Sequence, residues 1–227
     1  LNAMFWADRR GAAAMTTAAI GVVATLLFGS FGPGGVAWNV VIWWLGDLIG
    51  FLLQAEMDGR PLSNEHIFGT IALLIVAGID TTWSAIGASL WHLAQHPDDR
   101  RRLAEDPAVL PFAIEEFLRF YAPVTMARIA ATDTEIGGCP VAERDWVLLS
   151  FPAANRDPEA FEAADEFVID RQRNRHLAFG LGIHRCLGSN LARLELTVAV
   201  DEWMAAIPDF ELADPDGIVE EVRHASL

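Results

Sequence analysis

From Ser63 to Gln95 nothing in the chain interrupts a helix: prolines stand at Pro61 and Pro97, and none lies between them. Ser63 offers an N-cap, with His66 rather than a glutamate at the position that would complete a capping box. A helix of about thirty residues is roughly 45 Å long, enough to cross a whole domain. Its middle, Ile71 to Ala77, is apolar nearly all round and is expected to be buried. Such a rod commits the chain to packing its other elements around it.

Shorter elements flank the rod. Asp47 to Glu56 reads as an amphipathic helix, and Asp58-Gly59-Arg60-Pro61 as a turn. Pro97 to Glu105 and Pro107 to Tyr121 read as short helices, the second ended by Pro123. Thr125 to Thr132, Thr134 to Ile136 and Asp145 to Ser150 carry the branched residues and turn spacing of short strands. Cys139, in Gly137-Gly138-Cys139-Pro140, is expected in a turn between two of them. Residues 152–178 are loop-like, with Asn155-Arg156-Asp157-Pro158 as turn chemistry, and Leu187 to Ile207 reads as the last long helix. The expected fold class is therefore mainly α with a small β region.

Phe179-Gly180-Leu181-Gly182-Ile183-His184-Arg185-Cys186-Leu187-Gly188 sets a cysteine in a glycine-punctuated loop just before that last helix. The partial positive charge and free N–H groups of a helix start favour an ionised sulfur. The glycines permit tight turns and close approach of a flat ligand to the backbone. A thiolate presented this way is a good axial ligand for haem iron.

The loop resembles the haem-binding signature of the cytochrome P-450 family, Phe-Gly-x-Gly-x-His-x-Cys-x-Gly, at Phe179, Gly180, Gly182, His184, Cys186 and Gly188, and continues into Leu191-Ala192-Arg193. Ala77-Gly78-Ile79-Asp80-Thr81-Thr82 resembles the family's oxygen-activation segment, and Glu116-Phe117-Leu118-Arg119 its Glu-x-x-Arg motif. Three motifs in the family's order carry far more weight than any one alone. The resemblance runs from about Gly46 to the C-terminus, the C-terminal half of that fold. It implies haem b held through Cys186 as the metal ligand, with Phe179, Gly180 and Gly188 forming the loop. It implies that His184 and Arg128 bind the haem propionates and that Asp80 and Thr81 deliver protons for O–O cleavage. It further implies that Glu116 and Arg119 form a structural triad with an arginine before the loop, for which Arg171 is the candidate. The implied activity is a monooxygenase acting on a small apolar substrate with electrons from a ferredoxin- or flavodoxin-type partner.

Composition narrows the partners. A net charge of −15, from 31 acidic and 16 basic residues, argues against nucleic acid. Every basic side chain other than histidine is arginine. The two cysteines, Cys139 and Cys186, do not suggest a disulfide scaffold. His92, His96 and Glu105 form no convincing metal set and are expected to be solvated. No phosphate-cradling loop, dinucleotide fingerprint or Ser-His-Asp signature occurs, so the chain is expected to bind neither flavin nor nicotinamide.

Residues 1–45 form an apolar N-terminal segment ahead of a haem-thiolate domain at 46–227. Residues 11–46 carry no charged side chain and divide at Phe31-Gly32-Pro33-Gly34-Gly35. A membrane anchor, a helical cover for the haem face and unrelated joined sequence are three readings of this segment. A buried or membrane-associated helical pair is the expectation adopted, giving a cytoplasmic protein with membrane contact through residues 11–45. Against the enzyme stands a second reading: a truncated, catalytically incompetent haem-binding or membrane-associated helical module.

Overall fold

A computed structural model of the chain describes residues 49–213. Expectations that fall on residues 1–48, including the membrane contact and the boundary at residue 45, lie outside the described residues. The chain divides into two compact units, Leu1–Ala77 and Gly78–Leu227.

In the first unit, residues 49–54 are helical. The helix stops there, short of the expected Glu56, because Glu56–Met57 (β1) pairs antiparallel with Arg60–Pro61 (β2). Met57 faces Arg60 across a two-residue loop, and Asp58 and Gly59 both take positive φ, at 54° and 70°. That is the Asp-Gly geometry whose twist suits a tight hairpin. Leu52, Leu62 and Ile67 form this unit's small core.

Asn64–Gln95 (α1) begins in the first unit and continues into the second. Ser63 caps it as expected: the His66 N–H donates to Ser63 Oγ at 3.2 Å. The expected burial of Ile71 to Ala77 is overturned. Leu73, Ile75 and Val76 are exposed, as are Ile79 and Trp83 further along. An all-round apolar helix needs cover on every side, and although Ile71 packs against the small core of this unit, Leu73, Ile75 and Val76 find no such cover among the described residues. By length and composition α1 could cross a membrane, a criterion that the core helix of a soluble protein also meets.

The second unit holds the main core. Pro97–Glu105 (α2) leads through a 3-10 turn at Pro107–Val109 into Leu110–Phe120 (α3). Thr125–Ile129 (β3) pairs antiparallel with Trp146–Ser150 (β6), and Thr134–Ile136 (β4) with Cys139–Val141 (β5). Cys139 therefore starts a strand, and the turn is Gly137-Gly138 alone, at φ 58° and 83°. Cys139 and Cys186 are both free and exposed. Phe151–Ala154 (α4) adds one helical turn, capped by Ser150, and Ser189–Ala206 (α5) is the last long helix. Helix α3 presents Ala113, Ile114, Phe117 and Leu118 to the interior. Leu196 and Val200 of α5, four residues apart, meet the same core, together with Leu93 of α1.

Candidate functional site

The loop before α5 is shaped by its own backbone. The Gly180 N–H donates to Leu177 O at 2.8 Å, and the Cys186 N–H donates to Phe179 O at 2.9 Å. Gly180 and Gly182 both adopt φ +66°, a region costly for any residue with a Cβ. Gly182–His184 makes a single 3-10 turn. Cys186 lies two residues before Gly188, the N-cap of α5, so its sulfur does stand at a helix start.

Around that sulfur the surface is apolar and open. Ile183 is 96% exposed and Leu187 is 90% exposed. A Cβ on Gly182 would meet nothing within 4 Å, and one on Gly188 only Cys186 Sγ at 3.9 Å. Glycine at 188 is therefore not demanded by the protein's own packing. An exposed thiol in a loop that also exposes Ile183 and Leu187, with clearance over two glycines, fits a flat apolar macrocycle whose iron takes a sulfur ligand. His184, in the same loop, is exposed.

Other predicted site residues stand on neighbouring elements. Asp80 is exposed and Thr81 half-buried in the middle of α1. Glu195 of α5 stands near Thr82, the residue after Thr81: burial pushes its carboxyl up, against the lowering effect of the Thr82 hydroxyl. Arg128 lies on β3 opposite Val147 of β6. Its guanidinium donates to Ala127 O at 2.8 Å and makes no ion pair among the described residues. The strand β6 runs into Phe151, whose ring lies against Gly180, 3.6 Å from where a Cβ would be.

Behind the loop lies a buried polar junction. Arg119 grips Glu116 with Nε and Nη2, each at 2.8 Å, and both side chains are 0% exposed. Arg171 Nε reaches Glu116 Oε2 at 3.0 Å, which completes the expected triad. Burial pushes Glu116 up, but the Arg119 hydrogen bonds, the Val168 N–H and the charge of Arg171 together hold it below the usual carboxylate range. Two asparagines that sequence reasoning missed belong to the same junction. Asn174 Nδ2 donates to Glu116 Oε2 at 3.0 Å. Asn155 accepts the Leu177 N–H at 2.6 Å, just before the loop. Asn155 reads in sequence as turn chemistry, and nothing local signals its burial.

His92 corrects another expectation. It is buried rather than solvated, with Nδ1 2.7 Å from the Tyr121 hydroxyl and Nε2 2.8 Å from Asp99 Oδ2. Burial pushes its pKa down and the Tyr121 phenol up to about 12. No group of metal-ligating side chains occurs among the described residues.

The cytochrome P-450 family profile matches residues 44–206. The chain belongs to the cytochrome P-450 family. Among curated proteins it is 40% identical over 168 residues to probable cytochrome P-450 127A1 of Sinorhizobium fredii, covering 74% of this chain and 41% of that one. It is 36% identical over 174 residues to a steroid C26-monooxygenase of Mycobacterium tuberculosis, covering 76% of this chain and 47% of that one. Among solved structures, the polyketide synthase cytochrome P-450 PksS of Bacillus subtilis superposes with a TM-score of 0.69 at 32% identity, covering 84% of this chain and 54% of that one. The chain thus spans less than half the length of these curated relatives. The mainly α fold with small sheets is the C-terminal part of the P-450 fold.

Proposed function

We propose that the chain is the haem-thiolate part of a monooxygenase that inserts one atom of dioxygen into an apolar organic substrate. The carrying observation is Cys186: an exposed thiol before a helix start, with its N–H bonded to Phe179 O and clearance over the adjacent glycines.

A thiolate-ligated haem b, when bound, supplies reductive activation of dioxygen. The overall reaction joins a C–H compound, dioxygen, two electrons and two protons to give the alcohol and water. A ferredoxin- or flavodoxin-type protein supplies the electrons. The protein's share is to bind, orient and deliver protons. Cys186 Sγ is the metal ligand, and Phe179, Gly180 and Gly188 shape the loop that presents it. His184 and the Arg128 guanidinium bind the propionates, Arg128 as a planar fork suited to a carboxylate. The Asp80 carboxylate takes protons from solvent, which its exposure allows, and the Thr81 hydroxyl passes them inward. Membership of the family of these bacterial relatives supports a cytoplasmic location.

Replacing Cys186 with alanine and measuring haem content and spectrum after hemin loading tests this reading. The variant is expected to lose the thiolate spectrum. An unchanged spectrum would sink the assignment.

A further inference from the structure

We propose that Glu115, His176 and Arg193 form a clamp that positions the Cys186 loop through the Phe179 ring. This rests on the haem-thiolate reading above. Glu115 and Arg193 are then positioning residues for the iron ligand.

The three side chains come from three places. Glu115 lies on α3, His176 in the segment before the loop, and Arg193 on the second turn of α5. Arg193 Nε donates to Glu115 Oε1 at 2.5 Å and Nη2 to Oε2 at 3.0 Å. His176 Nε2 lies 3.0 Å from Glu115 Oε2, and its Nδ1 accepts the Ala178 N–H at 3.2 Å. Neutral His176 with its proton on Nε2 satisfies both contacts. One carboxylate therefore binds the chain just before the loop and the helix just after it.

The clamp closes on Phe179. The Arg193 guanidinium carbon sits 4.6 Å from the centre of the Phe179 ring, and the His176 ring lies 5.9 Å away. Arginine suits this position because its plane can stack on a ring while its edge keeps a two-pronged hold on the carboxylate. Phe179 meets the clamp with its ring and accepts the Cys186 N–H with its carbonyl. The adjacent acids of α3 thus divide the work: Glu116 ties the fold together, and Glu115 orders the loop.

The test uses the full chain with Arg193→Gln, Glu115→Gln and the double variant. In the haem-loaded proteins, each single change is expected to shift the one-electron reduction equilibrium about tenfold, or 59 mV. Both shifts are expected in the same direction, and the double variant should shift no further. Charge acting through space would move the two in opposite directions, because one substitution removes a cation and the other an anion. Opposite, additive or absent shifts overturn the clamp. Arg193→Lys keeps the charge without the fork or the stacking plane and is expected to match Arg193→Gln; a wild-type potential overturns the proposal. In the haem-free chain, the Cys186 amide is expected to exchange hydrogen about tenfold faster in each variant, over and above any change in the Phe117 amide in the core of α3, which reports global stability. Unaltered Cys186 exchange overturns the clamp. If the unmodified chain takes up no haem, the haem-thiolate reading fails, and the exchange experiment still decides whether the clamp exists.

Discussion

Arg119 and Glu116 hold each other by two parallel hydrogen bonds of 2.8 Å, with neither side chain reaching solvent. Taking both charges out of water is costly, and the pair persists because its remaining valences are filled. Arg119 also donates to the carbonyls of Asn155, Ala164 and Glu166. Glu116 also accepts from Val168 N, Arg171 and Asn174. The junction thus fastens α3 to the long irregular segment that leads into the cysteine loop. A surface ion pair of the same residues would contribute little.

Removing one partner of this junction should therefore be severe. Arg119→Leu is expected to lower stability by about 3–5 kcal/mol, because Glu116 loses two hydrogen bonds and its paired charge, and the carbonyls of Asn155 and Ala164 each lose a donor. Urea unfolding followed by circular dichroism measures it. A loss below about 1 kcal/mol would contradict the burial of the pair.

Glu115 gives an acid signature. Burial pushes its carboxyl up, but the His176 and Arg193 hydrogen bonds outweigh that and lower it from 4.5 to about 2. The folded state thus holds its proton more weakly than the unfolded chain does. Its contribution is complete above pH 4.5 and lost as pH falls toward 2. Glu115→Gln should be less stable than wild type by on the order of 1–3 kcal/mol at neutral pH, with the gap closing as pH falls. A gap independent of pH would contradict this.

His92 gives a signature nearer neutrality. Burial lowers its pKa from 6.5, so the unfolded chain takes up the proton first. Stability is expected to fall as pH drops below 6.5, by at most about 1.4 kcal/mol per pH unit from this group. In His92→Gln that step should vanish from urea midpoints measured between pH 5 and 8. Its persistence would assign the step to another group.

These networks mark where sequence reading stops. The helix Asn64–Gln95 and its Ser63 cap were legible because capping and proline boundaries are local. The cysteine loop was legible because its glycines and helix start are local too. Arg171 could be paired with Glu116 only through family resemblance. The exposure of Leu73 and Val76 was not legible, because hydropathy records what a helix needs covered and not whether a neighbour covers it. The burial of His92 was equally hidden: Tyr121 lies 29 residues away, and no periodicity announces that contact. Met57 and Arg60 were missed as strand residues because two-residue strands carry no alternation to read.

Gly182 isolates backbone cost from packing. A Cβ there meets nothing within 4 Å, but φ is +66°. Gly182→Ala is therefore expected to cost about 1–2 kcal/mol in the loop conformation. Hemin titration should show affinity reduced roughly tenfold or more, with the melting of the haem-free core unchanged. Unaltered affinity would mean that haem binding does not need this loop shape.

Ligation of haem iron by the Cys186 thiolate is the step on which the proposed activity depends. The absorption spectrum of the hemin-loaded, reduced and carbon-monoxide-bound chain tests it most directly. A strongly red-shifted Soret band that disappears in Cys186→Ala is the predicted result. A Soret band at the position of a histidine- or water-ligated haem, or a chain that stays colourless with hemin, would contradict it.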